Sequence, residues 1–248
     1  DWDFPVGTVF MKTFALAGKL IETRLLVRKG EFDWWGFSYR WLDDQSDAEL
    51  LAANTDGYDG MYEGPGGMQN WHFPSRQQCL QCHTTAAGVS LGLDTSQLNG
   101  DFEYPNGVVG NQLETLAHIG VFESEPEALP AYPTPANDDQ PAEPRARSYL
   151  HSNCSFCHRP GSNYTGIDLR FSTAFEDMHL CGEAPDKGDL GVSGALRIDP
   201  GNPETSVVSL RMHSLDTMFR MPQIGSRVID DVGAGAVDAW ISSLTDCP

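Results

Sequence analysis

The chain has 248 residues, of which 35 are Asp or Glu and 16 are Lys or Arg, and its formal net charge is −19. The length allows one large domain or about two to three small ones, and a hydrophobic fraction of 40% is enough for packed cores. The acidic composition lacks a basic stripe. It therefore argues against a nucleic-acid partner and favours partners with a basic docking surface. No apolar run approaches the length of a membrane-spanning helix, so we expect no transmembrane segment.

Residues 1–55 are predicted to be rich in β-structure. Three runs of β-branched and aromatic residues stand out, at positions 8–14, 20–28 and 32–41. In the third run, aromatic residues at positions 35, 37, 39 and 41 alternate with other types, which is the period of a half-buried strand. We expect an antiparallel meander, or part of a sandwich, with these aromatic side chains in its core. Because three strands make a marginal sheet, further strands are expected from this chain or from preceding sequence.

The stretch after the meander is predicted to be less regular. Residues 43–53 have a short helical pattern, and residues 54–69 read as a glycine-rich loop. Ser75 is a plausible N-cap for the helix that follows. A second helix is expected over residues 111–122.

Two five-residue stretches, at positions 79–83 and 154–158, have the pattern C-x-x-C-H. This pattern is the attachment signal for a c-type haem, in which both cysteines add to the haem vinyl groups and the histidine is the proximal iron ligand. Residues three apart on a helical turn share a face, so both sulfur atoms can reach one porphyrin edge. Zinc would favour C-x-x-C pairs closer together or more free His and Cys nearby. We predict two covalent haem c groups, held by Cys79, Cys82 and His83 and by Cys154, Cys157 and His158.

The sixth iron ligand in the first haem domain, residues 56–122, has several candidates. His118 is favoured because a helix can hold an imidazole rigidly against a second helix, although it lies slightly off the apolar face. His72, Met61 and Met68 are alternatives, and an open coordination site is a further one.

Residues 123–144 contain six prolines and six acidic residues, a composition that predicts a semi-rigid, extended linker. The second haem domain follows at residues 145–248. Within it, helices are expected over residues 145–150, 205–211 and 230–244. The apolar face of the last helix is predicted to comprise Val232, Ala236, Val237, Trp240, Ile241 and Leu244.

Met221 is the predicted sixth ligand of the second haem. It lies about sixty residues beyond His158, and Pro222 keeps the backbone beside its sulfur out of a helix. Met218 and Met212 are weaker candidates. His179 and His213 are further alternatives.

The remaining cysteines, Cys181 and Cys247, are expected to form a disulfide in an oxidising compartment, with two free thiols as the alternative. Haem attachment to C-x-x-C-H occurs outside the cytoplasm. We therefore expect a processed chain that begins near Asp1 and is periplasmic or extracellular. Arg76 and Arg145 or Arg147 are candidates for pairing with haem propionates, and surface ion pairing is equally compatible with them.

Several motifs resemble a family of bacterial di-haem c-type proteins. They include Phe4-Pro5-x-Gly7-Thr8-Val9, Ile21-Glu22-Thr23-Arg24, Tyr39-Arg40-Trp41, Trp71-x-Phe73-Pro74-Ser75-Arg76 before the first C-x-x-C-H, and Asp168-Leu169-Arg170 after the second. The last third also resembles class I cytochrome c, with Met221-Pro222 in its ligand loop. The resemblance implies a secreted or periplasmic electron-transfer protein but identifies no reaction. Family members usually carry more sequence before Phe4, which implies that this chain is a fragment or a processed product.

These observations predict a mixed fold, with an N-terminal β-meander followed by two mostly α-helical haem-binding domains. The expected function is electron transfer between redox proteins rather than catalysis. One alternative is a peroxidase-like di-haem oxidoreductase with one open haem site. Another is a haem-bearing subunit of an oligomer or a larger, filamentous electron-conducting assembly.

Overall fold

The computed structural model describes residues 2–54, 56–162, 164 and 166–248, and it has a mixed α/β fold. The N-terminal part is an antiparallel sheet with the strand order β1-β2-β3-β4. Its strands are β1 (Val9–Leu16), β2 (Lys19–Arg28), β3 (Trp34–Trp41) and β4 (Ala48–Leu50). The predicted three-stranded meander is confirmed.

The fourth strand lies where the sequence predicted a short helix, so that prediction is wrong. Tyr39 and Trp41 of β3 pair with Leu50 and Ala48 of β4. These pairs satisfy backbone groups along the edge of β3, and this tertiary pairing overrides the weak local helical pattern. The sheet thereby gains its expected extra strand from this chain.

The aromatic residues of β3 are not the buried core of the meander. Trp35 is 37% exposed, whereas Gly36 and Ser38 on the alternate face are buried. A Cβ atom on Gly36 would lie 3.1 Å from the sulfur of Cys79. The face with small residues is therefore the one that packs closely against the chain carrying the first C-x-x-C-H motif.

The predicted glycine-rich loop contains a second antiparallel hairpin, so this prediction is also wrong. Its strands are β5 (Tyr58–Gly64) and β6 (Gly67–Phe73), which pair from Tyr58 opposite Phe73 to Gly64 opposite Gly67. The glycines cluster at the turn, where Gly67 has a φ of 107° that favours glycine. They therefore mark the connection between two strands, while the flanking residues pair across the sheet.

Short elements follow the hairpin. They are α1 (Arg76–Cys82), α2 (Thr95–Leu98), the paired strands β7 (Asp101–Glu103) and β8 (Val109–Asn111), and α3 (Gln112–His118). Ser75 is the N-cap of α1, as predicted, and forms a capping box with Gln78. The second predicted helix is confirmed as α3, which ends four residues earlier than expected because Gly120 follows with a φ of 74°.

Residues 123–141 contain no helix or strand, and they contact segments on both sides. The Asn99 side chain donates a hydrogen bond to the Leu129 carbonyl at 2.6 Å, and the Tyr132 amide donates to the Ser96 carbonyl at 3.1 Å. The Tyr132 ring also packs 4.5 Å, between ring centroids, from Phe171. This proline-rich segment is therefore attached along its course, and the domain boundaries proposed from the sequence stay predictions.

The C-terminal part is built on three helices, α4 (Ala142–Cys154), α5 (Val207–Met212) and α6 (Asp231–Ser243). Helix α4 begins before the predicted position 145 and continues into the second motif. The main core lies between α4 and α6 and the loops around them. Its buried residues are Ala146, Leu150, Leu169, Met178, Leu180, Ile198, Val237, Trp240 and Ile241.

Helix α6 differs from its prediction at one position. Val232 is 54% exposed, while Gly233 is buried on the face toward α4. A Cβ atom on Gly233 would lie 2.0 Å from the Tyr149 ring, so glycine lets the two helices approach closely. Cys181 and Cys247 are joined by a disulfide bond, which agrees with the expected pairing and ties the tail to an earlier loop. None of the helices in the described ranges has the length and apolar character needed to cross a membrane.

Candidate functional site

The first C-x-x-C-H motif is held on the short helix α1. Cys79 and Cys82 are both on this helix, and His83 is its C-cap residue, with its amide donating to the Cys79 carbonyl at 3.0 Å. A spacing of three residues places both sulfur atoms on one face of the turn. Both cysteines are free thiols. Burial raises the pKa of Cys79, and the nearby Arg24 guanidinium partly opposes this effect.

The orientation of His83 is set by one backbone contact. Its Nδ1 atom lies 2.6 Å from the carbonyl oxygen of Val89, and because a carbonyl can only accept, Nδ1 must be the donor. Burial lowers the pKa of His83 and so favours the neutral ring. In this tautomer the lone pair is on Nε2, which is the arrangement that a metal-binding histidine requires.

A buried carboxylate supports the sheet next to the first motif. The Glu22 side chain is fully buried and accepts hydrogen bonds from Arg24 Nε and Nη2, both at 2.7 Å. It also accepts from Ser38 Oγ at 2.6 Å and Trp71 Nε1 at 2.9 Å. A buried carboxylate with four donors is well satisfied, so this network holds β2, β3 and β6 together behind α1.

The second motif lies at the end of α4 and lines a pocket. Cys154 ends the helix, and burial raises its pKa to about 12. The pocket contains about 510 Å³ of empty space, part of it open to solvent, and Met221 lines it together with the motif. Its lining includes Cys82, Cys154, Cys157, His158, Met221 and Pro222. The structure therefore brings Met221 to the same cavity as the second motif, although 63 residues separate it from His158.

His158 is less fully satisfied than His83. Burial lowers its pKa, and the backbone of Tyr164 opposes this effect in part. Within the part of the chain that the structure describes, its buried Nδ1 atom has no partner at normal hydrogen-bond distance and angle, so the influence of the Tyr164 backbone is weaker than a full hydrogen bond. The ring lies 5.6 Å from that of Tyr164, measured between centroids. In both motifs, a backbone group six residues after the histidine partly opposes the fall in its pKa. The group belongs to Val89 for His83 and to Tyr164 for His158.

The two motifs are adjacent, which the sequence did not predict. The Cys82 and Cys157 side chains line the same pocket, and the interaction between the two thiols raises the pKa of Cys82 and lowers that of Cys157. The Cys157 sulfur also lies 3.7 Å from the Gln81 carbonyl oxygen. These positions are 75 residues apart in sequence, so no local spacing could reveal their contact.

The candidate sixth ligands of the first haem lie elsewhere or are already engaged. His118 is exposed at the end of α3, and no described contact joins it to the first motif. Met61 and Met68 are 60% and 63% exposed on the second hairpin. His72 contacts Asp59 through Nδ1 and Gln78 through Nε2, each at 3.0 Å. The role of His118 as a ligand therefore stays a prediction.

The weaker candidates of the second haem have other neighbours. Met218 is 75% exposed, and Met212 packs against the main core. His213 is paired with Asp238 at 2.8 Å, and His179 lies 3.3 Å from Glu183.

The arginines considered as propionate partners have contacts of their own. Arg145 donates to the Pro135 carbonyl and to Asp138, and Arg147 donates to Glu143 and to backbone carbonyls. The Arg76 guanidinium lies 4.7 Å from the centre of the Phe37 ring. The guanidinium groups of Arg145 and Arg147 therefore bind other parts of the chain and hold these segments together.

Among the described residues, no group of three or more His, Cys, Asp or Glu side chains is arranged to hold a bare metal ion. Comparison of this chain with family models, with curated proteins and with solved structures finds no match.

Proposed function

We propose that this protein is a di-haem c-type cytochrome that carries electrons between redox proteins outside the cytoplasm. The observation that carries the proposal is the pocket of the second motif. Both thiols of that motif, its histidine and Met221 line one cavity, which is the donor set that a His/Met-ligated c-haem requires. The neutral His83 ring, with Nδ1 donating to Val89, supports the same role for the first motif.

The residues have distinct tasks in this proposal. The four motif cysteines would hold two haem groups as thioethers, and His83 and His158 would each supply Nε2 as an iron ligand. Met221 would supply its thioether at the second site, where a methionine ligand would raise the potential of the iron. Each bound haem supplies a reversible one-electron change at iron, while burial and hydrogen bonds of this chain tune its potential.

The charge of the chain bears on its partners. A formal net charge of −19 attracts proteins with a basic docking surface and accelerates their encounter at low ionic strength. We infer that the electron donor or acceptor is such a protein, and that the site of action is periplasmic or extracellular because c-haem attachment occurs there.

One observation favours a second candidate, a peroxidase-like oxidoreductase. Among the described residues, the predicted sixth ligands of the first haem are exposed or bonded to other side chains. A haem without a protein ligand on one side can bind a small molecule there. Low-spin, six-coordinate spectra for both haems in the resting protein would contradict this candidate.

The main proposal is tested on the holoprotein by intact mass and by a redox titration followed spectroscopically. We expect a mass that includes two covalent haems. Replacing Met221 with alanine should lower the potential of one haem and remove the absorption band of methionine-ligated ferric iron. Met218→Ala is the matched control, since Met218 is in the same loop but 75% exposed, and it should leave both unchanged. Fewer than two covalent haems would refute the proposal.

A further inference from the structure

The two haem-attachment motifs are fastened to each other by a small set of contacts. The Cys82 and Cys157 side chains line one pocket, and the Cys157 sulfur lies 3.7 Å from the carbonyl oxygen of Gln81 in the first motif. Close by, the Gln97 side chain donates to Ser152 Oγ at 2.5 Å, which links α2 to α4. Both contacts join the chain around the first motif to the chain around the second.

Arg159, the residue directly after His158, contributes a third and more buried link. Arg159 is only 9% exposed. Nε donates to the Ser155 carbonyl at 2.7 Å, and Nη2 donates to Ser155 Oγ at 3.1 Å. Nη1 reaches across to the Ala86 carbonyl, three residues after His83, at 3.2 Å. One guanidinium group is thus bonded to the second motif itself and to the segment that follows the proximal histidine of the first.

Arginine suits this position because its guanidinium is a planar fork with fixed donor directions. Two donors clamp the turn of the second motif, and a third fixes its distance from the backbone of the first. A lysine would have to reach the same acceptors with a single ammonium group on a flexible stem. The Ala86 Cβ atom also lies 3.7 Å from where a Cβ atom on Gly161 would be, which is an ordinary van der Waals distance, so the two segments are neighbours here.

We propose that Arg159 is a positioning residue that holds the two motifs together at Cys82 and Cys157, so that electrons pass directly between the two haems. This inference rests on the proposed function, because it needs a haem on each motif. Each thioether sulfur would be covalently part of the edge of its haem, so neighbouring sulfur atoms would bring two haem edges close together. The exchange would transfer one electron, oxidising ferrous iron in one haem and reducing ferric iron in the other, with no bond or proton moved.

The test is circular dichroism of the holoprotein in the Soret region, where two nearby haems couple and produce a signal with a positive and a negative lobe. We expect this paired signal in the wild-type protein. Because the coupling falls with the cube of the separation, Arg159→Ala should lose half or more of its amplitude. Arg159→Lys should lose part of it. Neither change alters a haem ligand, so both variants should keep two covalent haems.

Arg170→Ala is the matched control. Its guanidinium is bonded to Asp168 within the same segment, so the paired signal should keep its wild-type amplitude. If Arg159→Ala does not fold, Arg159→Lys and Gln97→Ala decide the question, since both weaken the contact between the motifs more mildly and should reduce the signal.

The outcomes separate the two proposals. Two covalent haems without a paired signal in the wild-type protein would overturn the direct exchange and leave the proposed function standing. An unchanged amplitude in every folded variant of Arg159 and Gln97 would overturn the positioning role. Fewer than two haems would refute the proposed function itself.

Discussion

Replacement of Gly233 by alanine is expected to destabilise the protein, although alanine is the better helix former. A Cβ atom at this position would lie 2.0 Å from Cε2 and 2.1 Å from Cζ of Tyr149. Ordinary carbon–carbon contacts are about 3.5–4.0 Å, so the overlap is about 1.5 Å or more. The ring is partly buried and packs against the main core, so it cannot move aside freely.

The magnitude follows from two opposing effects. Alanine in place of glycine in a helix contributes about 0.5–1 kcal/mol of stability. Forcing extra volume into a packed contact costs about 1–3 kcal/mol, and more for a severe overlap. An overlap of about 1.5 Å places the cost near the upper end of this range, at about 3 kcal/mol. After the propensity gain is subtracted, we expect Gly233→Ala to lower the free energy of unfolding by about 2 kcal/mol, and the thermal midpoint by about 2–4 °C for each kcal/mol.

Gly235→Ala is the matched control for this measurement. Gly235 is on the same helix, and a Cβ atom there would have no heavy atom within 4 Å. It should therefore show only the propensity gain of about 0.5–1 kcal/mol. Denaturant unfolding of the holoproteins, followed by far-ultraviolet circular dichroism, gives both values. Equal stabilisation by the two substitutions would show that Tyr149 does not pack on Gly233 and would refute the close approach of α4 and α6.

Three further predictions follow from the buried groups. Glu22→Gln should lower the free energy of unfolding by about 2–3 kcal/mol, because it removes a buried carboxylate that accepts four hydrogen bonds. Glu49→Gln breaks only the exposed ion pair with Arg40, and it should change the free energy by less than about 0.5 kcal/mol in the same denaturant titration. Thiol counting after denaturation of the holoprotein should find none before reduction and two after it. Serine at both Cys181 and Cys247 should cost about 2–4 kcal/mol, and two free thiols before reduction would contradict the disulfide. Burial lowers the pKa of His151 in the folded protein below the ordinary value of 6.5. As the pH falls, His151 is therefore protonated in the unfolded chain before it is protonated in the folded one. Stability should therefore fall as the pH drops below about 6.5, and less steeply in His151→Gln; an identical pH profile in the variant would count against this assignment.

Local chemistry made several elements predictable from the sequence. The first three strands follow from β-branched and aromatic runs, and the start of α1 follows from a serine three residues before a glutamine. The last helix follows from its apolar period, although Val232 and Gly233 exchange their expected places. The two C-x-x-C-H patterns were equally visible, because each is contained within five residues.

Other elements were missed because they are stabilised by pairing with another segment rather than by a pattern within their own residues. Strand β4 exists through its pairing with β3, and the second hairpin exists through pairs across its glycine turn. The burial of Gly36 and Ser38, rather than of the aromatic residues beside them, results from the close approach of Cys79 and the demands of the Glu22 carboxylate. Residue propensity and hydrophobic period describe one segment at a time. They carry no information about which other segment will pack or pair with it.

The same division applies to the candidate site. The sequence alone supplied the residues of both motifs, and the spacing of their four thiols and two histidines predicts haem attachment. It also singled out Met221 through the adjoining proline. The tertiary structure decided that Met221 lines the pocket of the second motif, that His118 is exposed at the end of α3, and that Cys82 shares a pocket with Cys157. Spacing specifies donor atoms within a turn, whereas contacts between motifs depend on how buried surfaces pack, and that packing is a property of the whole fold.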